Sequence, residues 1–153
     1  MTMSPDPDSL LLHWQTSRFR IELRRPQVMG IVNVTPDSFS DGGTHVGTAE
    51  ALRHCEQLIK DGADILDIGG ESTRPGSPAV SLEEESARVL PVVREALRLG
   101  VPLSIDTYKP ALMRAVLDMG ADIVNDIWAL RQPGAREAVT VHQRSRGCLL
   151  HMH

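Results

Sequence analysis

The chain has 153 residues, of which 41% are hydrophobic and 24% charged, and it carries a net charge of −4 at pH 7. This length and apolar content suit one domain with its own core and exclude a disordered segment. The mildly acidic balance, with 3% aromatic residues, excludes a nucleic-acid binder built on a basic face and stacking rings, but leaves small anions open as ligands.

Residues 1–9 read as a flexible tail rich in Pro, Asp and Ser, without the basic segment and apolar stretch of a signal peptide. No apolar run approaches the roughly 20 residues of a membrane span, so a soluble, cytoplasmic protein is expected. Residues 10–26 read as a β-hairpin capping the main fold, with strands at Leu10–Trp14 and Phe19–Leu23; Phe19-Arg-Ile-Glu-Leu23 alternates as a half-exposed strand does.

From residue 27 to residue 153 one unit repeats: apolar strand, polar loop, amphipathic helix, glycine. Strands are predicted at Val28–Val34, Ile65–Ile68, Leu103–Ile105, Ile123–Val124 (extending to Ile127) and Cys148–His151. Helices are predicted at Thr48–Lys60, Ser81–Leu99, Pro110–Met119 and Gly134–Gln143. Ser81-Leu-Glu-Glu84 fits a capping box, and Pro110 suits a first helical turn. Pro91 should kink or split its helix. Gly62, Gly100, Gly120 and Gly147 fall where a left-handed residue ends a helix. Cys55 and Cys148 lie far apart with no Cys/His cluster beside them, which favours reduced, buried thiols over a disulfide framework or zinc site.

Strands alternating with helices imply right-handed βαβ units and a parallel sheet. Each strand ends in polar groups: Asn33, Asp67, Asp106, Asn125 with Asp126, and His151 with His153. Polar side chains at the carboxyl ends of several strands suit a (β/α)8 barrel better than an open sheet with a single switch point. A complete barrel takes about 250 residues, so the expectation is a TIM barrel truncated after about strand 5.

Four motifs follow strands. In Asn33-Val-Thr-Pro-Asp-Ser-Phe-Ser-Asp-Gly-Gly43, the Asn33 amide oxygen suits Mg²⁺, although Asn33 could equally cap its strand. In Asp67-Ile-Gly-Gly-Glu-Ser-Thr-Arg-Pro-Gly-Ser77, Gly69 and Gly70 would let backbone approach a ligand. There Thr73 offers a hydroxyl, Arg74 a fork for a carboxylate or phosphate, and Pro75 stiffness. In Ser104-Ile-Asp-Thr107, Asp106 should point into the barrel mouth, where a carboxylate can accept from a ring N–H and an amino group or stabilise a developing positive charge; the competing role as helix cap falls better to Thr107 or Tyr108. In Ile123-Val-Asn-Asp-Ile127, Asn125 offers a donor and an acceptor for a heterocycle edge, while Asp126 either joins the site or holds the loop.

Taken together, these motifs resemble the dihydropteroate synthases of the pterin-binding family. The first motif resembles the family's first signature and Gly69-Gly-Glu-Ser-Thr-Arg-Pro-Gly76 its second; Ser104–Thr107, Asn125-Asp126 and His151-Met152 follow in order. The resemblance implies condensation of (7,8-dihydropterin-6-yl)methyl diphosphate with 4-aminobenzoate through a pterin-methyl cation, in folate biosynthesis, with sulfonamides as competitors of aminobenzoate. It implies that Asn33 holds Mg²⁺ on the diphosphate, and that Asp106, Asn125 and Thr73 bind pterin. Phe39, Arg74 and Pro75 would form the aminobenzoate loops, with Asn33 and Asp106 carrying catalysis. Full-length members are commonly homodimeric through late helices, which leaves the state of this chain open.

The sequence departs from the family in lacking a second pterin-binding Asp, a Ser-Arg-Lys lysine and an Arg-x-His anion site. Trp128 stands where Arg is common, and His153 where Gln is common. Little activity is therefore expected of these 153 residues alone. The alternatives are a non-catalytic half-barrel that binds pterin weakly or pairs with itself, and a methyltetrahydrofolate–corrinoid methyltransferase.

Overall fold

A computed structural model describes residues 12–34, 43–140 and 147–150. Two short strands, β1 (His13–Gln15) and β2 (Arg20–Glu22), form an antiparallel hairpin with Trp14 opposite Ile21. There follow β3 (Met29–Asn33), α1 (Gly43–Lys60), β4 (Ile65–Gly69), α2 (Leu82–Ala96), β5 (Leu103–Asp106), α3 (Pro110–Met119), β6 (Ile123–Asp126), α4 (Ala135–Thr140) and β7 (Gly147–Leu150). Strands β3 to β7 make one parallel sheet in sequence order, each neighbour joined through a helical crossover. The expected β/α repeat is therefore observed, with the hairpin ahead of it.

Side-chain alternation gives the sheet two faces. On one, Val32, Leu66, Ile68, Leu103 and Ile105 are buried against Ala51 and Cys55 of α1, Val89, Val92, Val93 and Ala96 of α2, and Leu112 and Val116 of α3. This apolar layer, together with the Val124 cluster under α4, is the core. Cys55 belongs to it, and burial pushes its thiol up to about 11, as expected of an inert structural cysteine. The side chain of Cys148 lies outside the described residues.

The other face begins, at the amino ends of the strands, with Ile65 and Ile123. Ile21 of the hairpin packs on them, with Trp14, Phe19 and Met29 around it. Asp122, wholly buried just before β6, fastens the hairpin: it accepts from Thr16 Oγ1 at 2.9 Å, from Arg18 at 2.6 Å and from the Leu103 N–H at 2.9 Å.

Several boundaries differ from the sequence expectation. Helix α1 starts at Gly43, not Thr48. Helix α2 is not split by Pro91: burial of Val89, Val92, Val93 and Ala96 around the proline outweighs the one lost donor. It stops at Ala96, three residues short of the predicted end; α4 is described from Ala135 to Thr140, and the rest of its predicted span, to Gln143, lies outside the described residues. Ser81 Oγ accepts from the Glu84 N–H, and Gly62, Gly100 and Gly120 take positive φ, as read from the sequence. Gly147 instead opens β7. The tail, the Thr35–Gly42 stretch containing Phe39, and His151 and His153 lie outside the described residues.

Candidate active site

Parallel register ranks the side chains of this second face into rows. Asn33 pairs with Gly69, Gly69 with Asp106, and Asp106 with Asn125. These are the last or next-to-last residues of four successive strands, so one row of polar groups crosses the carboxyl end of the sheet. A step below, Ile31, Asp67, Ser104 and Ile123 form the next row. Three residues proposed from sequence, Asn33, Asp106 and Asn125, are thus on one face and in one row.

Their environments differ. Asn33 is exposed. Asn125 is buried, and its Nδ2 donates to Asp67 Oδ2 at 3.2 Å, while its Oδ1 and the neighbouring Ser104 Oγ have no partner among the described residues. A buried acceptor left open costs about 1–3 kcal/mol, so it marks a place where a ligand donor is wanted. Burial pushes the Asp106 carboxyl up to about 7, helped by the negative charges of Asp67, Glu85, Asp126 and Glu71. A carboxyl that titrates near neutrality and is crowded by like charges favours any ligand bearing a positive or incipiently positive group.

Gly69 and Gly70 have a use within the protein itself. A Cβ on Gly69 would stand 3.3 Å from the Asp106 Cβ, and one on Gly70 would stand 2.8 Å from Val89 Cγ2. Their lack of side chains accommodates Asp106 and α2.

Thr73, Arg74 and Pro75 lie on the loop from β4 to α2, Thr73 half-buried and the other two exposed. The loop is tied across itself: Glu71 Oε1 accepts from the Val80 N–H at 3.3 Å, the hydroxyls of Ser72 and Ser77 meet at 2.9 Å, and the Arg74 carbonyl accepts from the Ser77 N–H at 3.1 Å. Gly76, at φ +81°, completes that turn. Arg74 and Pro75 therefore occupy the tip of a closed loop at the same end of the sheet as the polar row.

Asp126 holds the loop after β6. Its two oxygens accept from the Trp128 and Leu130 N–H groups, both at 2.9 Å, and it is wholly buried. Ala129 and Leu130 sit at φ 53° and 59°, a costly conformation for residues with side chains, and the two carboxylate bonds sustain it. The loop-holding role is therefore the one observed.

Helix α3 is not capped by Thr107 or Tyr108 as expected; its cap residue is Lys109, and Thr107 Oγ1 accepts from the Lys109 N–H at 3.2 Å. The Lys109 side chain turns elsewhere, to Glu71 Oε2 at 2.5 Å and Glu85 Oε2 at 2.6 Å. Tyr108 donates to the other Glu71 oxygen at 2.9 Å and meets Trp128 edge-on, with centroids 6.4 Å apart. Burial opposes the Glu71 charge, but the bonds from Lys109, Tyr108 and Val80 hold its carboxyl below the usual range. Sequence reading missed this group, and it missed Ser104; the alternation of β5 places Ser104 on the same face as Asp106 and would have found it.

Comparison with known proteins follows the same residues. The family described as pterin binding enzyme matches residues 29–153. Dihydropteroate synthase of Neisseria meningitidis serogroup C is 54% identical over 141 residues, which cover 91% of this chain and 50% of the relative. Dihydropteroate synthase of Burkholderia cenocepacia, solved with 7,8-dihydropteroate, superposes with a TM-score of 0.80 at 53% identity, covering 92% of this chain and 46% of that one. The Xanthomonas albilineans enzyme, solved with 4-aminobenzoic acid, gives 0.83 at 52% identity, covering 92% and 52%. These neighbours are TIM barrels, which agrees with the fold class expected from sequence. The chain spans about half the length of the curated relatives it matches.

Proposed function

The chain belongs to the pterin-binding enzyme family, and from that premise we propose that the protein it forms is a dihydropteroate synthase. It would join (7,8-dihydropterin-6-yl)methyl diphosphate to 4-aminobenzoate, releasing diphosphate. The observation that carries the reading is the single row of Asn33, Gly69, Asp106 and Asn125, with an open acceptor on Asn125 and a crowded carboxyl on Asp106.

In this reading Asp106 and Asn125 face the pterin edge. The ring N–H and amino group donate to the Asp106 carboxylate, and Asn125 Oδ1 takes a further donor. As the C–O bond to diphosphate breaks, positive character spreads into the pterin, and the carboxylates of Asp106 and Asp67 oppose it with negative charge. The aniline nitrogen then attacks the methylene. Thr73 contacts the pterin substrate, and Phe39, Arg74 and Pro75 line the aminobenzoate side, where Arg74 suits its carboxylate. Loop closure there excludes water from the cation.

Mg²⁺ fits this site in a limited way. Among the described residues no cluster of three or more His, Cys, Asp or Glu could hold a metal ion, whereas Asn33 is exposed in the row. One protein oxygen plus substrate phosphates is an ordinary Mg²⁺ arrangement, and the bound ion would offset charge on the leaving diphosphate. A cytoplasmic location and competition by sulfonamides belong to the same reading. Among the described residues no helix is long and apolar enough to cross a membrane.

The test is dihydropteroate formation from the two substrates, followed by mass, beside calorimetric titration of the pterin substrate. Synthesis that needs both substrates and falls with Asp106→Asn and Asn125→Ala supports the reading. A folded protein that neither binds the pterin substrate nor forms product overturns it. The 153 residues alone are expected to bind pterin and turn over weakly.

A further inference from the structure

Lys109 sits against local preference. It occupies the cap position of α3, where the helix dipole disfavours a cation, and its side chain makes no cap bond. Instead one ammonium meets two carboxylates from elsewhere, Glu71 at 2.5 Å and Glu85 at 2.6 Å. Its side chain is 16% exposed and that of Glu85 only 1%. Glu85 lies in the first turn of α2, where the helix dipole suits an acid, but it is buried, and without Lys109 it would stand uncompensated beside Glu71. A departure from local preference that tertiary contacts go on to satisfy is where function is to be sought.

The contacts of this group lead to the loop. Glu71 starts the stretch that carries Thr73, Arg74 and Pro75, and its other oxygen receives Tyr108 and the Val80 N–H at the loop's end. Arg88 of α2 donates to the Gly70 carbonyl at 2.9 Å. The start of the loop is therefore bound to α2 and to the start of α3, and its end is bound to Glu71. Lys109 also lies 4.5 Å from the Tyr108 ring centre, and that ring touches Trp128 on the next loop.

We propose that Lys109 is a positioning residue: by joining Glu71 to Glu85 it fixes the β4–α2 loop, and with it Arg74 and Pro75, at the carboxyl end of the sheet. The loop's part in catalysis rests on the functional reading above, whereas its fixation by Lys109 does not. An ion pair serving only fold stability would loosen the domain as a whole when cut. A positioning pair should loosen residues 71–80 alone and weaken capture of the substrate they contact.

The test uses the full chain with Lys109→Met, Lys109→Arg and Glu71→Gln, read by amide hydrogen exchange and by kinetics. In Lys109→Met, exchange across residues 71–80 should quicken about tenfold or more while strands β4 and β5 hold their rates. The KM for 4-aminobenzoate should rise about tenfold, with kcat changing by less than about threefold, which is the mark of lost binding and not of lost chemistry. Lys109→Arg should restore both. Glu71→Gln, which keeps neutral partners for Tyr108 and Val80, should shift exchange the same way and serves if Lys109→Met does not fold. Unchanged exchange in 71–80, or uniform loosening of the domain, overturns the proposal. So does a loosened loop with an unaltered KM in an active protein. If the wild-type chain neither binds 4-aminobenzoate nor turns over, the functional reading fails, and exchange alone decides whether Lys109 fixes the loop.

Discussion

Asp122 at the amino ends of the strands and Asp106 at the carboxyl ends are both aspartates beside the same sheet, in opposite circumstances. Asp122 is wholly buried, with both oxygens filled by Thr16, Arg18 and the Leu103 N–H. Asp106 is surrounded by other acids, and its neighbours Asn125 and Ser104 keep polar atoms without a partner among the described residues. One end of the sheet uses its polar groups to close the fold. At the other, Asn125 and Ser104 keep polar atoms open among the described residues, which lowers stability and suits a ligand.

Substitutions at the two ends should therefore separate stability from binding. The largest loss is expected from Asp122→Ala, which strands buried donors of the hairpin and β5 and should cost about 3–5 kcal/mol in urea unfolding. A loss under about 1 kcal/mol would undo the contrast.

Asp106→Asn should act in the opposite sense. Its folded acid constant is about 7 against the ordinary 3.8, so the folded chain holds the proton more tightly than the unfolded one. Wild-type stability should fall as pH rises from about 4 to about 7 and then level off. The asparagine variant should lose that slope and be more stable by roughly 1–3 kcal/mol at pH 8, while pterin binding drops about tenfold or more. Unfolding curves across that pH range, with calorimetry, check both halves; a slope that persists in the variant assigns the proton to another group.

Gly70→Ala forces a Cβ against Val89 and should cost about 1–3 kcal/mol by thermal unfolding. The smallest effect belongs to Ser104→Ala, which removes a buried hydroxyl without a partner among the described residues and should change stability by less than about 0.5 kcal/mol. A large loss there would show that the open end is less open than described.

Much of this was legible in the sequence because strands and helices alternate with different periods. The parallel sheet, its helices and the placing of Asn33, Asp106 and Asn125 at strand ends came from pattern alone. The Glu71–Lys109–Glu85 group did not, because its members are 38 and 24 residues apart and lie on three different elements. Lys109 before a helix reads as a surface charge, and Glu85 as one more acid in the run Glu83-Glu84-Glu85. The glycines are legible only in part: sequence shows that space is needed at 69 and 70 but not that Asp106 and Val89 fill it. Pro91 was overweighted because helix propensity is local, whereas the burial that holds α2 together is not.

The hairpin fastened by Asp122 also sets an order of assembly. Thr16 and Arg18 precede their acceptor by 106 and 104 residues. At about 5–20 residues per second, a ribosome releases them roughly 5–20 seconds before Asp122 exists. During that interval Trp14, Phe19 and Ile21 lack Ile123 as part of their floor, so the hairpin is made well before it can be sealed, and its apolar residues must meanwhile be kept from aggregating.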